Sequence, residues 1–309
     1  MAWTTADIPD QSGRVTVVTG ANGGLGLQVA RELARKGGHV VMAARDQAKA
    51  EAARASIHHE IPNASLELQP LDLASQRSVR EAAAQILAGQ PTIDILVNNA
   101  GVMAIPERRT TDGFELQLAV NHLGHFALTA LLLPALLASA GARVVSVTST
   151  GRHAGRALDP GNPHLAGNYD PSRAYGQSKL ANLHFALELD RRFRAVGAPA
   201  RSIVVHPGFP NTDLQARSAR ETGGASQRFF HAAVRRVGMS PAQGALPLLR
   251  AATDPGAAGG ALYTPRWVNW GPPVRRPILR RSRDPEAMAT LWAVSERETG
   301  VSFDLAARP

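Results

Sequence analysis

Val15-Thr16-Val17-Val18-Thr19-Gly20-Ala21-Asn22-Gly23-Gly24-Leu25-Gly26 is the stretch that decides the fold. Its β-branched run reads as a buried strand. Spaced glycines follow, and a helical pattern opens at Leu25. A strand that turns sharply into a helix aims backbone N–H groups at open space. The helix N-terminus adds partial positive charge there, so the turn suits a phosphate. Gly20 permits the tight turn, and Gly24 and Gly26 let a pyrophosphate and the strand come close to the backbone. The competing reading is a βα turn of any doubly wound domain. The position at the first βα unit favours the phosphate-binding one.

Strands and helices alternate outward from this turn. Strands are expected at Val15–Thr19, His39–Ala44, Leu66–Leu71, Ile93–Val97, Ala142–Val147 and Ser202–Val205. Helices are expected from Leu25 to about Lys36, after a cap at Asp46, over Ser75–Ala88, and over Ser172–Val196. Asp112-Gly113-Phe114-Glu115 reads as a helix start with Glu at the capping-box position. Ser240-Pro241 starts another helix and Asp284-Pro285-Glu286 a terminal one, to about Arg297. Ala261–Tyr263 is a candidate last strand. Such alternation with right-handed crossovers specifies a doubly wound α/β domain, a parallel sheet with helices on both faces. One domain over 1–309 is expected, with a variable flap at about 209–240 and a C-terminal extension at about 264–309.

At 309 residues and 44% apolar, the chain can bury a large single core. It has no cysteine, which excludes disulfides, thiolate catalysis and Cys-based metal sites. Met1–Gly13 carries no apolar core flanked by charge, so no signal peptide is expected. The longest apolar run, Phe126 to Ala138, is interrupted by Thr129 and Pro134 and is shorter than the ~18 residues of a membrane span. A cytoplasmic protein is expected. The net charge is +9, and only Lys36, Lys49 and Lys179 among its basic residues are lysines. A cluster at Arg266, Arg275, Arg276, Arg280, Arg281 and Arg283 reads as a solvated basic surface or as a site for an anionic partner. No nucleic-acid-binding motif accompanies it, so no nucleic-acid partner is expected.

Several side chains carry chemistry. Arg45, at the end of the second strand, offers a cation to a 2′-phosphate where an NAD-selecting domain would want a carboxylate. That points to NADP; the competing reading is a surface arginine, common in this chain. Asp72 either meets an adenine ring or caps a helix. Tyr175 and Lys179, four apart, share one helix face. An ammonium beside a phenol lowers its pKa from ~10 and makes it usable for proton transfer. Ser149 ends a strand upstream, and Asn121 sits in a helix. His122 and His125, three apart, invite a metal reading, but without further ligands packing or hydrogen bonding is preferred. Asn182 and His184 fall under the same caution.

Together these residues resemble the short-chain dehydrogenase/reductase family. The resemblance rests on Thr19-Gly20-Ala21-Asn22-Gly23-Gly24-Leu25-Gly26, Asn98-Asn99-Ala100-Gly101, Asn121, Ser149, Tyr175-x-x-x-Lys179 and Pro207-Gly208 with Thr212. It covers roughly the first two-thirds of the chain. Asn-Asn-Ala-Gly-Val-Met, Thr-Asp-Gly-Phe-Glu, Val-Asn-His-Leu-Gly-His-Phe and the long Ser149–Tyr175 segment resemble the retinol dehydrogenase-like subgroup. The three glycines alone also satisfy the spacing of the epimerase branch. Pro210 and the basic C-terminal segment depart from the family pattern near the substrate.

The resemblance implies a Rossmann domain and an NADP-dependent oxidoreductase for a carbonyl or alcohol substrate. Tyr175 is the implied acid and base, Lys179 its charge partner and holder of the ribose hydroxyls, and Ser149 the ligand of the substrate oxygen. Asn121 is the implied support of a water that relays protons. Cofactor contacts are implied for Gly20, Asn22, Gly24, Leu25, Gly26, Arg45, Asp72, Leu73, Asn98, Ala100, Gly101, Tyr175, Lys179, Pro207, Gly208 and Thr212. No metal is implied. Two alternatives are a catalytically silent NADP-binding regulator and an epimerase. Phe209, Phe229, Phe230, Met239, Trp267 and Trp270 imply an apolar substrate if they line the cleft, and are otherwise core. Apolar residues beyond one face, including Phe126, Leu132, Leu136, Leu183 and Leu187, lead to the expectation of a homodimer or homotetramer.

Overall fold

The β-branched runs become one eight-stranded sheet in the computed structural model, which describes residues 2–211 and 238–305. The strands are β1 (Val15–Thr19), β2 (His39–Ala44), β3 (Ser65–Pro70), β4 (Ile95–Asn98), β5 (Arg143–Val147), β6 (Arg201–Val205), β7 (Leu262–Pro265) and β8 (Pro273–Arg276). Their order is β3-β2-β1-β4-β5-β6-β7-β8. Every neighbouring pair is parallel except β7 with β8. The order reverses between β1 and β4, so a crevice opens at their carboxyl ends, where open α/β sheets place ligands.

The strand period of two divides the core between the faces. Val17, Val41, Leu96 and Val144 point to one side, and Val18, Val40, Ile95 and Val145 to the other. The second side is covered by α1 (Gly24–Arg35), α2 (Gln47–Glu60) and, from the C-terminal part, Pro241–Thr253. The first is covered by α3 (Gln76–Gly89), by the helical run that starts at α4 (Leu116–Leu118), and by Pro171–Ala195. In chain order the remaining helices are α5 (Gly124–Leu131), α6 (Leu133–Ala138), α7 (Pro171–Ala195), α8 (Pro241–Thr253) and α9 (Pro285–Thr299).

Several sequence expectations change. The first helix opens at Gly24, one residue before the expected start, with Gly23 as its N-cap. The start near Asp112 is not a capping box. Glu115 is itself the N-cap, and its carboxylate accepts from the backbone N–H of Gln117 (2.8 Å) and Leu118 (2.6 Å). Residues 109–115 instead form a tight turn about Gly113 (φ +85°), with Arg109 bridged to Glu115. The run after α4 is interrupted by a π turn over Ala119–Leu123. Ala261–Tyr263 is not the last strand, because β8 follows and pairs antiparallel to β7.

The apolar excess on the middle helices is buried within the chain. Phe126, Leu132, Leu136 and Leu183 are fully buried, and Leu187 is half-buried. The aromatic rings of Phe126 (α5), Phe185 (α7), Trp292 (α9) and Phe303 meet at centroid distances of 4.7–6.1 Å. Burying a phenylalanine of this kind contributes ~1.5–3 kcal/mol. The terminal helix thus covers the Phe126 and Phe185 part of this surface, and Leu183 and Leu187 pack instead with Val204, Leu262 and Ile278. Of the expected flap, Phe209 to Asn211 and Met239 are joined by backbone hydrogen bonds, Asn211 to Met239 (2.8 Å) and Met239 to Phe209 (3.0 Å). Thr212, Phe229 and Phe230 lie outside the described residues.

Candidate active site

A cleft of about 680 Å³ lies at the β1/β4 switch point. The glycine turn forms its floor. Gly20 (φ +68°) and Gly24 (φ +53°) adopt the left-handed backbone that favours glycine. A Cβ on Gly26 would sit 2.3 Å from the Gly20 carbonyl oxygen and 2.7 Å from Asn99 Nδ2, so only glycine lets α1 start against β1. No side chain caps α1, and its first-turn N–H groups belong to a stretch that lines the cleft (Asn22 to Leu25). This cradle fits the pyrophosphate of a dinucleotide.

Arg45 is exposed on the cleft wall beyond β2, with no ion-pair partner among the described residues. Lys49 also lines the wall and lies 3.7 Å from Asp46, giving a second cation that the sequence reading passed over. Asp72 lines the cleft too. Its carboxylate accepts from Ala74 N–H (3.0 Å), while Ser75 caps α3, so Asp72 is not the helix cap. Leu73, Ala100, Gly101, Pro207 and Gly208 also line it, as does Phe209, which the sequence offered as a cleft or core residue; Thr19, Asn99 and Val102 are among those added by the structure. Asn98 is turned inward and donates to Thr129 Oγ1 (3.0 Å). Its neighbour Asn99 faces the cleft and donates to the Thr19 carbonyl (2.8 Å).

Ser149, Tyr175 and Lys179 line the opposite wall. Ser149 ends the stretch after β5, and its hydroxyl accepts from Gly151 N–H (3.1 Å) and is hydrogen-bonded to Tyr175. The Tyr175 ring packs on Gly151, where a Cβ would lie 2.8 Å from the ring. Gly155 and Gly176 come together with the same tightness: a Cβ on Gly155 would be 2.2 Å from the Gly176 carbonyl oxygen. These three glycines seat the turn after Ser149 on the start of α7. The sequence reading did not single them out, because a lone glycine in a loop carries little signal.

Lys179 is buried beneath the cleft, and its ammonium donates to the Val147 carbonyl (3.2 Å). It stands 5.9 Å from the centre of the Tyr175 ring. Burial lowers the Lys179 ammonium to about 8. Burial also pushes the Tyr175 phenol above its ordinary value, and the Ser149 hydrogen bond offsets this in part. The expected lowering of the phenol by the lysine is not seen: burial raises it, the Ser149 hydrogen bond is what opposes this, and the ammonium is turned to a backbone carbonyl. Asn121 is fully buried. Its Oδ1 accepts from Val102 N–H (2.8 Å), and its Nδ2 donates to Val102 O and Ser178 Oγ (2.9 Å each). Across Gly101, Asn121 and Lys179 approach the same strip of backbone.

His122 meets Ser295 Oγ (2.7 Å), and His125 bridges Thr19 Oγ1 (2.8 Å) and the Asn121 carbonyl (3.0 Å). Asn182 donates to Val147 O (2.9 Å). Met239 is buried against Gly208, whereas Trp267 and Trp270 are exposed and outside the cleft lining.

Comparison with known proteins places these features in company. The family model described as short chain dehydrogenase matches residues 14–223. Retinol dehydrogenase 13 of Homo sapiens is 45% identical over 211 residues, 68% of this chain. The match spans 62% of that relative's length. Polyprenol dehydrogenase of Mus musculus is 42% identical over 298 residues, 95% of this chain and 86% of the relative. The crystal structure of an uncharacterised protein from Mycobacterium paratuberculosis is 40% identical, with a TM-score of 0.81 and coverage of 99% of this chain and 100% of that one.

Burial sets an acid limit on this architecture. It lowers His122 and His206 to about 3, and His125 and His184 to about 4. The unfolded chain binds these protons below pH ~6.5, so stability is complete above that value and is lost as pH falls toward 4. Each histidine contributes about 1.4 kcal/mol per pH unit in that window. Urea denaturation between pH 7.5 and 5.5 (a range of ~2 units above most carboxylate titration) is expected to show this decline. His206→Asn is expected to make it shallower. A stability independent of pH across the window would contradict the assignment of neutral buried histidines.

Proposed function

The chain belongs to the short-chain dehydrogenase family, and on that premise we propose that it is an NADP-dependent oxidoreductase interconverting an apolar alcohol and its carbonyl counterpart. The observation that carries the reading is the Ser149–Tyr175–Lys179 wall facing the glycine cradle across one cleft. When bound, the nicotinamide cofactor supplies or accepts the hydride.

In reduction, the Tyr175 hydroxyl donates its proton to the substrate oxygen, and in oxidation it takes that proton back. A phenol held above its ordinary pKa carries its proton at neutral pH, which is the state that reduction needs. The Ser149 hydroxyl holds the substrate oxygen beside the phenol. Lys179 is charged below about pH 8, and its field stabilises the phenolate left when the proton departs. Lys179 is also the group assigned to the ribose hydroxyls. Asn121 positions the Gly101–Val102 strip and supports proton return through Lys179.

Arg45 and Lys49 support the choice of NADP, since both put cations where a 2′-phosphate would sit. Val102, Met103, Leu116, Val120, Phe209 and Pro210 give the cleft an apolar side. The names of the relatives, retinol and polyprenol dehydrogenases, agree with an apolar alcohol.

Turnover of a panel of apolar aldehydes and ketones, followed by NADPH oxidation, is the direct test. NADPH binding without turnover would favour the regulator, and substrate conversion without net NADPH consumption would favour the epimerase. Tyr175→Phe keeps the ring and its packing on Gly151, and is expected to lower turnover by at least ~10²-fold with NADPH affinity nearly unchanged. Lys179→Met is expected to weaken cofactor binding as well and to shift the activity profile to higher pH. Near-normal turnover by Tyr175→Phe would assign the proton to another group. Arg45→Asp is expected to weaken NADP binding roughly 10- to 100-fold, the size of a lost charge-assisted contact, and NAD binding far less. Equal losses in titrations of the two cofactors would remove Arg45 from cofactor selection.

A further inference from the structure

Four of the five exposed large hydrophobic side chains among the described residues fall within thirteen positions of one another. Trp267 and Trp270 are each 57% exposed, Leu279 52% and Val268 39%. They occupy the tip and flank of the β7–β8 hairpin at the edge of the sheet. Between 261 and 283 the chain has six arginines and no Asp or Glu. Arg266, Arg275, Arg276, Arg280 and Arg283 are exposed, and no ion pair to any of them is present among the described residues. Arg276 reaches back along the hairpin to the Arg266 carbonyl, which brings its guanidinium to the base of the tip.

The tip is held in one shape. Arg266 N–H donates to Pro272 O (2.8 Å), Trp267 N–H to Trp270 O (3.1 Å) and Val268 N–H to Pro265 O (2.9 Å). The Trp267 ring lies against Gly271 (φ +99°), where a Cβ would be 2.6 Å from it. Val268 has φ +70°, a left-handed conformation that is costly for a β-branched residue. A strained, hydrogen-bonded turn that presents two indoles and a valine to solvent is a surface built for contact.

The tip also adjoins the cleft. The Phe209 N–H donates to the Asn269 carbonyl (3.3 Å), and a Cβ on Gly208 would lie 2.7 Å from the same oxygen. Gly208 and Phe209 line the cleft.

From these observations we infer that the β7–β8 hairpin docks on an anionic lipid surface, with Trp267, Val268 and Trp270 in the headgroup–acyl boundary and the arginines on lipid phosphates. Indoles favour that boundary because one part of the ring is apolar and its N–H is polar. Arginines beside it add attraction to anionic headgroups. A second copy of this chain fits poorly, since the arginines would face one another. A single-stranded nucleic acid fits less well than lipid, because Val268 and Leu279 offer bases no ring to stack on and one Trp267 face is covered by Gly271. The docked orientation brings the Phe209 side of the cleft next to the bilayer. The inference concerns membrane attachment alone, and its test does not depend on turnover.

Sedimentation of the full chain with vesicles of phosphatidylcholine mixed with phosphatidylglycerol, against phosphatidylcholine alone, tests it. Binding to the anionic vesicles is expected, weakened by added salt. The paired change Trp267→Ser with Trp270→Ser is expected to reduce vesicle binding by roughly tenfold or more. The paired change Arg275→Ser with Arg276→Ser is expected to remove most of the preference for anionic vesicles. Thermal melting and NADPH titration of both variants check that fold and cleft are intact. Absence of vesicle binding, or binding that neither variant alters, would overturn the inference. So would self-association, by light scattering, that only the Trp variant abolishes, or binding of a single-stranded oligonucleotide in place of vesicles.

Discussion

The hydroxyl of Thr19 joins the parts of this site that come from distant stretches of chain. It accepts the N–H groups of Asn99 (3.0 Å) and Ala100 (3.1 Å), and it meets His125 Nε2 at 2.8 Å. The Asn121 carbonyl can only accept, so His125 Nδ1 carries the proton. Burial keeps the ring neutral, and Nε2 therefore accepts the Thr19 hydroxyl proton. From Asn121 the network continues through Ser178, whose hydroxyl donates to the Tyr175 carbonyl (2.8 Å). The glycine turn, the turn after β4, the π turn and the start of α7 are thus one hydrogen-bonded unit. In a buried network each member orients the next, and an unpaired member is costly. The glycine floor of the cleft and the Ser149–Tyr175–Lys179 wall are fixed relative to each other for this reason.

Burial then sets the electrostatics. It moves Tyr175 and Lys179 toward their neutral forms, the phenol upward and the ammonium to about 8. A protonated phenol near a lysine that is still charged at neutral pH is the arrangement in which losing the phenolic proton leaves a compensated anion. The glycine contacts at Gly151, Gly155 and Gly176 make this possible by removing side chains from the Ser149 turn. A methyl group at any of them would come within 2.8 Å of the Tyr175 ring or of facing backbone.

Much of the fold was legible because its signals are local. The β-branched runs at Val15–Thr19 and His39–Ala44 marked strands to the residue, and Asp46 and Ser240 marked helix starts through their short side chains. The cleft residues were legible as a spaced set, and most of that set lines one cleft. What escaped depended on distant contacts. Glu115 caps its own helix because the turn about Gly113, closed by a backbone bridge between Arg109 and Glu115, delivers the chain there. Strand β8 is four residues with two arginines, with no apolar alternation to announce it. Part of the apolar excess of α5 and α7, Phe126 and Phe185, is covered by α9, far beyond α7 in the chain. Trp267 and Trp270 looked like cleft or core residues from composition, and only the shape of the hairpin turn exposes them.

The central claim is hydride exchange at a carbonyl carbon beside Tyr175. It is tested most directly by reducing an apolar ketone or aldehyde with NADPH deuterated at the nicotinamide C4, and by locating the label in the alcohol with mass spectrometry. The account predicts one deuterium on the carbinol carbon from one of the two C4 positions, with a hydroxyl proton drawn from solvent. An alcohol product without deuterium from either C4-labelled cofactor would contradict it.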